Sequence, residues 1–192
     1  MKLLLPFAKK HGERNMFLTT SSGRAIALEN IEAADIDIQD IAHSLSNLCR
    51  FGGHTKRFYS VAQHSVRVAL SLPKEHQLAG LLHDATEAYL VDIPRPLKML
   101  LPDYQMIEES LWLKVAQRFG LDPKLANEVI QADNRALLTE WQELMVMPVP
   151  QYLKAIKPLP NEKTLSPPKA REYFLEAYAT LRCGLPLVPR SL

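Results

Sequence analysis

The sequence predicts an all-α fold, a single helical bundle with a short β-hairpin near its N-terminus. From Asp37 onward, apolar residues recur at three- and four-residue steps. Gly52-Gly53 and Pro73 stand where those runs end. Only the stretch from Met16 to Leu28 mixes β-formers with a turn signal, Ser21-Ser22-Gly23, which is the hairpin.

The first helix is expected to start behind Asp37, a residue suited to an N-cap, with Ile38, Ile41, Leu45 and Leu48 on one face. It should stop near Arg50. A second helix should run from Ser60 to about Leu72, with Val61, Val68 and Leu72 on one side and His64 on that same side. A third should run from about Lys74 to Tyr89, its apolar side made by Leu78, Leu81, Leu82 and Ala85. A short segment from Pro94 to Leu101 follows, then helices from Pro102 to Phe119, from Pro123 to about Met145 and from Pro168 to Leu181. The segment from Met147 to Pro168 carries six of the fourteen prolines. Only one good helix lies beyond it, too little for a second core, so it reads as a loop wrapping one domain that spans residues 1–192.

Composition narrows the function. A 192-residue chain with 47% hydrophobic residues can bury one sizeable core. A formal net charge of +2 argues against a nucleic-acid polymer as the main partner and leaves room for a small anionic one. Two distant cysteines, Cys49 and Cys183, form neither a disulfide framework nor a zinc motif, so the cytoplasm is the expected compartment. The apolar run Met1–Ala8 is short, broken by Pro6 and followed by Lys9-Lys10, and no targeting role is expected of it. No stretch has the length to cross a bilayer, and no membrane partner is expected. The sequence leaves a homodimer open.

Four residues suggest a metal site: His64, the adjacent pair His83-Asp84, and Asp133. His64 alone reads first as a satisfied core histidine. Asp133 is more telling, since Ala126, Val129, Ile130 and Leu137 share its side of a helix and aim the carboxylate at the core. A buried carboxylate without partners costs several kcal/mol or takes up a proton. On one continuous helix His83 and Asp84 lie about 100° apart and can reach one ion over their shared edge. Glu87 follows His83 by one turn, where it could hold or deprotonate an attacking water, or simply be a solvated glutamate at a helix end.

This pattern resembles that of the HD-domain metal-dependent phosphohydrolases, whose signature is a His, a His-Asp pair and a distant Asp. The stretches Arg50-Phe51-Gly52-Gly53-His54, Phe58-Tyr59-Ser60-Val61-Ala62-Gln63-His64, His83-Asp84-Ala85-Thr86-Glu87 and Asp92-Ile93-Pro94-Arg95-Pro96-Leu97-Lys98 are similar to a branch found in bacteria and prophages, akin to the 5′-deoxynucleotidases. The resemblance covers roughly residues 30–140. It implies an HD-type bundle, with His64, His83, Asp84 and Asp133 as ligands of one divalent ion. It further implies that Glu87 acts on the attacking water, that Arg50 binds phosphate, and that Asp92 contacts the deoxyribose 3′-hydroxyl. Those relatives carry a tryptophan at the position of Phe51, where it helps exclude a ribose 2′-hydroxyl.

Chemistry read from the residues agrees. Arg50 could hold phosphate through two parallel hydrogen bonds, or act as a favourable charge at a helix end. His54 could donate to a phosphate or a leaving oxygen, or be an ordinary loop histidine. Asp92 sits before two prolines, as a substrate-positioning residue or as a turn or cap residue. Lys98 adds positive potential or is an exposed lysine. A set of two histidines and two aspartates does not choose among Mn, Co, Zn, Fe, Ni and Mg. The expected function is therefore a 5′-nucleotidase releasing phosphate from (deoxy)nucleoside 5′-monophosphates. The alternatives are a triphosphohydrolase using the same site and a catalytically silent nucleotide-binding domain.

Overall fold

The computed structural model describes residues 17–189. The Met1–Ala8 run, with its expected lack of a targeting role, and the first residue of the expected hairpin lie outside them. Two short antiparallel strands, β1 (Leu18–Thr19) and β2 (Ala25–Ile26), form the hairpin. Eight α-helices follow among the described residues: α1 (Ile38–Asn47), α2 (Val61–Leu70), α3 (Lys74–Leu82), α4 (Glu87–Leu90), α5 (Arg95–Lys98), α6 (Pro102–Phe119), α7 (Asn127–Leu144) and α8 (Pro167–Arg182). The all-α expectation holds. Among the described residues no helix is long and apolar enough to cross a membrane.

Helix α1 starts where its sequence says, with the Asp37 carboxylate accepting from the Gln39 amide at 2.8 Å. It ends earlier than expected, at Leu48, and Arg50 does not cap a helix. The reason is long-range pairing. The Arg50 amide donates to the Tyr59 carbonyl and the Val61 amide to the Leu48 carbonyl, which pulls residues 48–50 into an extended bridge with residues 59–61. The chain then reverses through Phe51, Gly52 and Gly53, all with positive φ. Glycine adopts that conformation freely, whereas Phe51 does so against its Cβ.

Helix α2 is the central element. Every residue from Val61 to Ala69 is buried, and its side chains join two apolar clusters. One holds Ile41, Leu45, Leu81, Leu82 and Phe174. The other holds Val129, Ala132, Ala136 and Leu159. Burying side chains of that size contributes roughly 1.5–3 kcal/mol each, which commits α1, α3, α7 and α8 to the flanks of α2. The approach of α3 depends on Gly80, where a Cβ would overlap Leu72 Cδ1 and meet Ala69 Cα at 3.3 Å.

The expected third helix is not continuous. It breaks after Leu82 and resumes at Glu87, so His83 and Asp84 lie in a tight turn and not on a helix face. His83 Nδ1 bonds to the Gly80 carbonyl at 2.7 Å, the acceptor that a continued helix would offer to Asp84. Helix α7 begins at Asn127, later than expected, because residues 122–126 are held as a loop. Asp122 caps the Lys124 amide at 2.8 Å and Trp112 Nε1 donates to the Pro123 carbonyl at 2.7 Å.

The proline-rich segment packs as a strap over α2 and α7. The Leu159 amide donates to Thr139 Oγ1, Arg67 Nη2 to the Pro160 carbonyl and Gln63 Nε2 to the Lys163 carbonyl, while Gln63 Oε1 accepts from the Leu165 amide. Polar groups buried on α2 thus complete the hydrogen bonding of residues 160–165, beyond the single 3-10 turn that the segment forms by itself at Gln151–Leu153.

Candidate metal centre

His64 projects from the first turn of α2, whose start is fixed by Ser60 Oγ accepting from the Gln63 amide at 3.1 Å. Its side chain is 0% exposed. Its Nδ1 lies 2.7 Å from Glu140 Oε1 on α7. A carboxylate can only accept, so Nδ1 carries the proton and Nε2 faces the other way. His83 is set by the same logic: its Nδ1 donates to the Gly80 carbonyl, leaving Nε2 to face the same space.

Two carboxylates share that space. Asp133 Oδ1 lies 3.2 Å from His64 Nε2 and 4.0 Å from His83 Nε2. Asp84 straddles the rings, Oδ2 at 3.5 Å from His64 Nε2 and Oδ1 at 3.3 Å from His83 Nε2. His64, His83 and Asp133 each offer one ligand atom within 4.8 Å of the others, a spacing that could hold a metal ion. Among the described residues, His64 Nε2, His83 Nε2, Asp84 Oδ2 and Glu87 Oε2 are buried without a hydrogen-bond partner. Orphaned polar atoms are costly singly, and the three that converge from α2 and the α3–α4 turn, His64 Nε2, His83 Nε2 and Asp84 Oδ2, fit a cation. Each histidine also has the outer hydrogen bond that metal-binding imidazoles use to fix their orientation.

Charge in the site is crowded. Burial and the Arg50 charge pull the His64 imidazolium down, but Glu140 and Asp133 outweigh them and push its pKa up to about 9. A proton on His64 and a divalent ion at its Nε2 would balance the same carboxylates and exclude one another, so an ion bound there would displace that proton. Burial pushes the Asp133 carboxyl up, but His64, His83 and Arg50 hold it below the usual carboxylate range. Burial, Asp84 and Asp92 push Glu87 well above its ordinary value. Asp92 is likewise raised by burial, which with the Asp84 charge outweighs Arg50.

Arg50 lies at the rim of this cluster. Its Nε and Nη2 reach Glu140 Oε2 at 3.3 and 3.2 Å, and Nη1 lies 3.6 Å from Asp84 Oδ2. The guanidinium also sits 5.6 Å from the Phe51 ring centre, and Phe51 packs edge-on against Trp141 at 5.8 Å. Asp92 follows Val91, whose φ of 70° and ψ of 150° turn the chain after α4. Lys98 is half-buried and pairs with Glu108 at 2.7 Å, while its charge still acts on Glu87 and Asp92. His54 is exposed at the end of the Arg50 turn, outside the buried cluster.

Ile130, assigned to the buried side of α7, is 48% exposed. The buried stripe runs through Val129, Ala132, Ala136 and Glu140, and Asp133 flanks it. Glu140 itself was not anticipated, although it lies two turns from Asp133 and four residues after Ala136 on the buried face. Arg95 Nη2, 3.7 Å from Asp133 Oδ2, also belongs to the neighbourhood of the site.

No family model matches the chain. It is 42% identical over 170 residues to the uncharacterised protein YfdR of Escherichia coli (strain K12), a match covering 86% of this chain and 95% of that protein. The chain belongs to the YfdR family. It is also 36% identical over 121 residues to an uncharacterised protein of Rhodobacter capsulatus, covering 58% of this chain and 62% of that protein.

Proposed function

We propose that the chain is an HD-type metal-dependent phosphohydrolase that releases phosphate from nucleoside 5′-monophosphates, with deoxynucleotides as the first choice. The observation that carries this is the convergence of buried, unpartnered ligand atoms beside a buried glutamate and an arginine held by two carboxylates. His64, His83, Asp84 and Asp133 would hold one divalent ion. Such an ion acidifies an attacking water and withdraws charge from a phosphoryl oxygen.

The remaining chemistry falls to the chain's own groups. Glu87, with Oε2 free of partners and its proton affinity raised by burial, Asp84 and Asp92, accepts a proton from the attacking water. The water oxygen forms the new bond to phosphorus as the ester P–O bond breaks in line. The proton on Glu87 then returns to the departing 5′-oxygen, giving a nucleoside and inorganic phosphate. Arg50, kept charged by Glu140 and Asp84, donates to phosphate oxygens. Asp92, on the rigid segment before Pro94, contacts the sugar.

A pair of variants tests the division of labour. Glu87→Ala should retain manganese and lose phosphate release, whereas Asp133→Ala should lose manganese. Wild-type turnover by Glu87→Ala would remove the proton-transfer assignment.

A further inference from the structure

Glu140 is fully buried, yet no step of the proposed reaction uses it. Its two oxygens go to different halves of the site. Oε1 bonds His64 Nδ1 at 2.7 Å, and Oε2 lies 3.3 Å from Arg50 Nε and 3.2 Å from Arg50 Nη2. Arg67 Nη1 stands 4.0 Å from Oε1 on the far side. That Nη1 also donates to Glu143, and the other two nitrogens are engaged by Glu143, Glu162 and the Pro160 carbonyl, so charge balance alone does not require Glu140 to face His64 and Arg50 together.

We propose that Glu140 is a positioning residue that sets both the metal-facing tautomer of His64 and the plane of the Arg50 guanidinium. The proposal rests on the metal reading of the site. Only a carboxylate can do both, because each partner presents N–H and each oxygen must accept. An amide of the same shape has one accepting oxygen and one donating NH2. Turned with NH2 toward Arg50, it would bury two donors against each other beside a full charge. Turned with NH2 toward His64, it makes Nδ1 the acceptor and moves the ring proton to Nε2. The second arrangement costs less, and it blocks the nitrogen that faces the ion.

Glu140→Gln should therefore separate the two halves. Titration of metal-free protein with cobalt should show affinity weakened about 10- to 100-fold, the usual cost of losing an outer partner of a metal-binding histidine. Inorganic phosphate should bind the cobalt-saturated variant as it binds wild type. Arg50→Lys keeps a charge beside Glu140 and loses the fork, so it should weaken phosphate and leave cobalt affinity unchanged. The wild-type protein gives a test that needs no variant to fold: nitrogen-15 correlation spectra of the zinc-loaded chain should show His64 protonated at Nδ1, in slow exchange. Cobalt binding by Glu140→Gln equal to wild type would overturn the proposal and leave the metal site standing, whereas a zinc-loaded His64 protonated at Nε2 would overturn the proposal and remove His64 from the ligands. A wild-type chain that binds neither cobalt nor zinc would overturn both.

Discussion

Supplying a divalent ion to metal-stripped protein is expected to raise its thermal midpoint, and the structure fixes the sign. The Nε2 atoms of His64 and His83 converge with Asp84 and Asp133 carboxylates that burial holds together. The unfolded chain keeps only the adjacent His83 and Asp84 together and leaves His64 and Asp133 far from them in sequence, so the ion binds the folded state much more tightly. An ion at one hundred times its dissociation constant then adds about 2.7 kcal/mol. In a domain of 150–250 residues, a range that includes this 192-residue chain, each kcal/mol moves the midpoint by about 2–4 °C, so the expected rise is about 5–11 °C. Differential scanning calorimetry with manganese, cobalt or zinc, each against a chelator control, measures it. Asp133→Ala should abolish the rise. A midpoint that ignores all three metals, or a rise that survives in Asp133→Ala, would refute the assignment of these four residues.

Three other outcomes follow from the packing and charges. Gly80→Ala would ordinarily gain about 1 kcal/mol of helix propensity, but the new Cβ overlaps Leu72 and crowds the Ala69 backbone. Overpacking of about 1–3 kcal/mol should win, and denaturant titration should show a net loss. Val91, a β-branched residue at φ 70° and ψ 150°, stores strain of about 1–3 kcal/mol just before Asp92. Val91→Gly should leave stability equal or higher while raising KM for a deoxynucleotide; a fall in stability with unchanged KM contradicts that reading. Burial raises the Asp40 carboxyl, but donors from Ser21 and Ser22 outweigh it and hold its pKa below the ordinary value of 3.8. Its contribution is complete above that value and is lost as pH falls through the lower folded-state pKa. The stability gap between wild type and Asp40→Asn, followed by chemical denaturation from pH 6 downward, should therefore narrow only in the acid range.

Much of this was legible because helices advertise themselves by period. Asp37, Ser60 and Pro102 mark helix starts in the sequence and do so in the structure. The break after Leu82 was not legible, since Leu78, Leu81, Leu82 and Ala85 keep a helical period straight through it. A ring nitrogen competing for one carbonyl leaves no trace in hydrophobicity. The end of α1 was hidden for a related reason, because pairing with residues 59–61 overrides the local signal. The four proposed ligands could be named from residue type and spacing. Glu140 could not be given a role until α2 and α7 were brought together, although a charged residue on the buried face of α7 was a visible clue.

The most direct test of the central claim is product identification by phosphorus-31 NMR, with manganese-loaded protein offered deoxynucleoside mono- and triphosphates in parallel. Inorganic phosphate is expected from the monophosphates, and its release should be abolished by chelator and by Glu87→Ala. Tripolyphosphate from the triphosphates, with the monophosphates untouched, would contradict the proposed substrate, and no product from either under any of the metals would contradict hydrolysis itself.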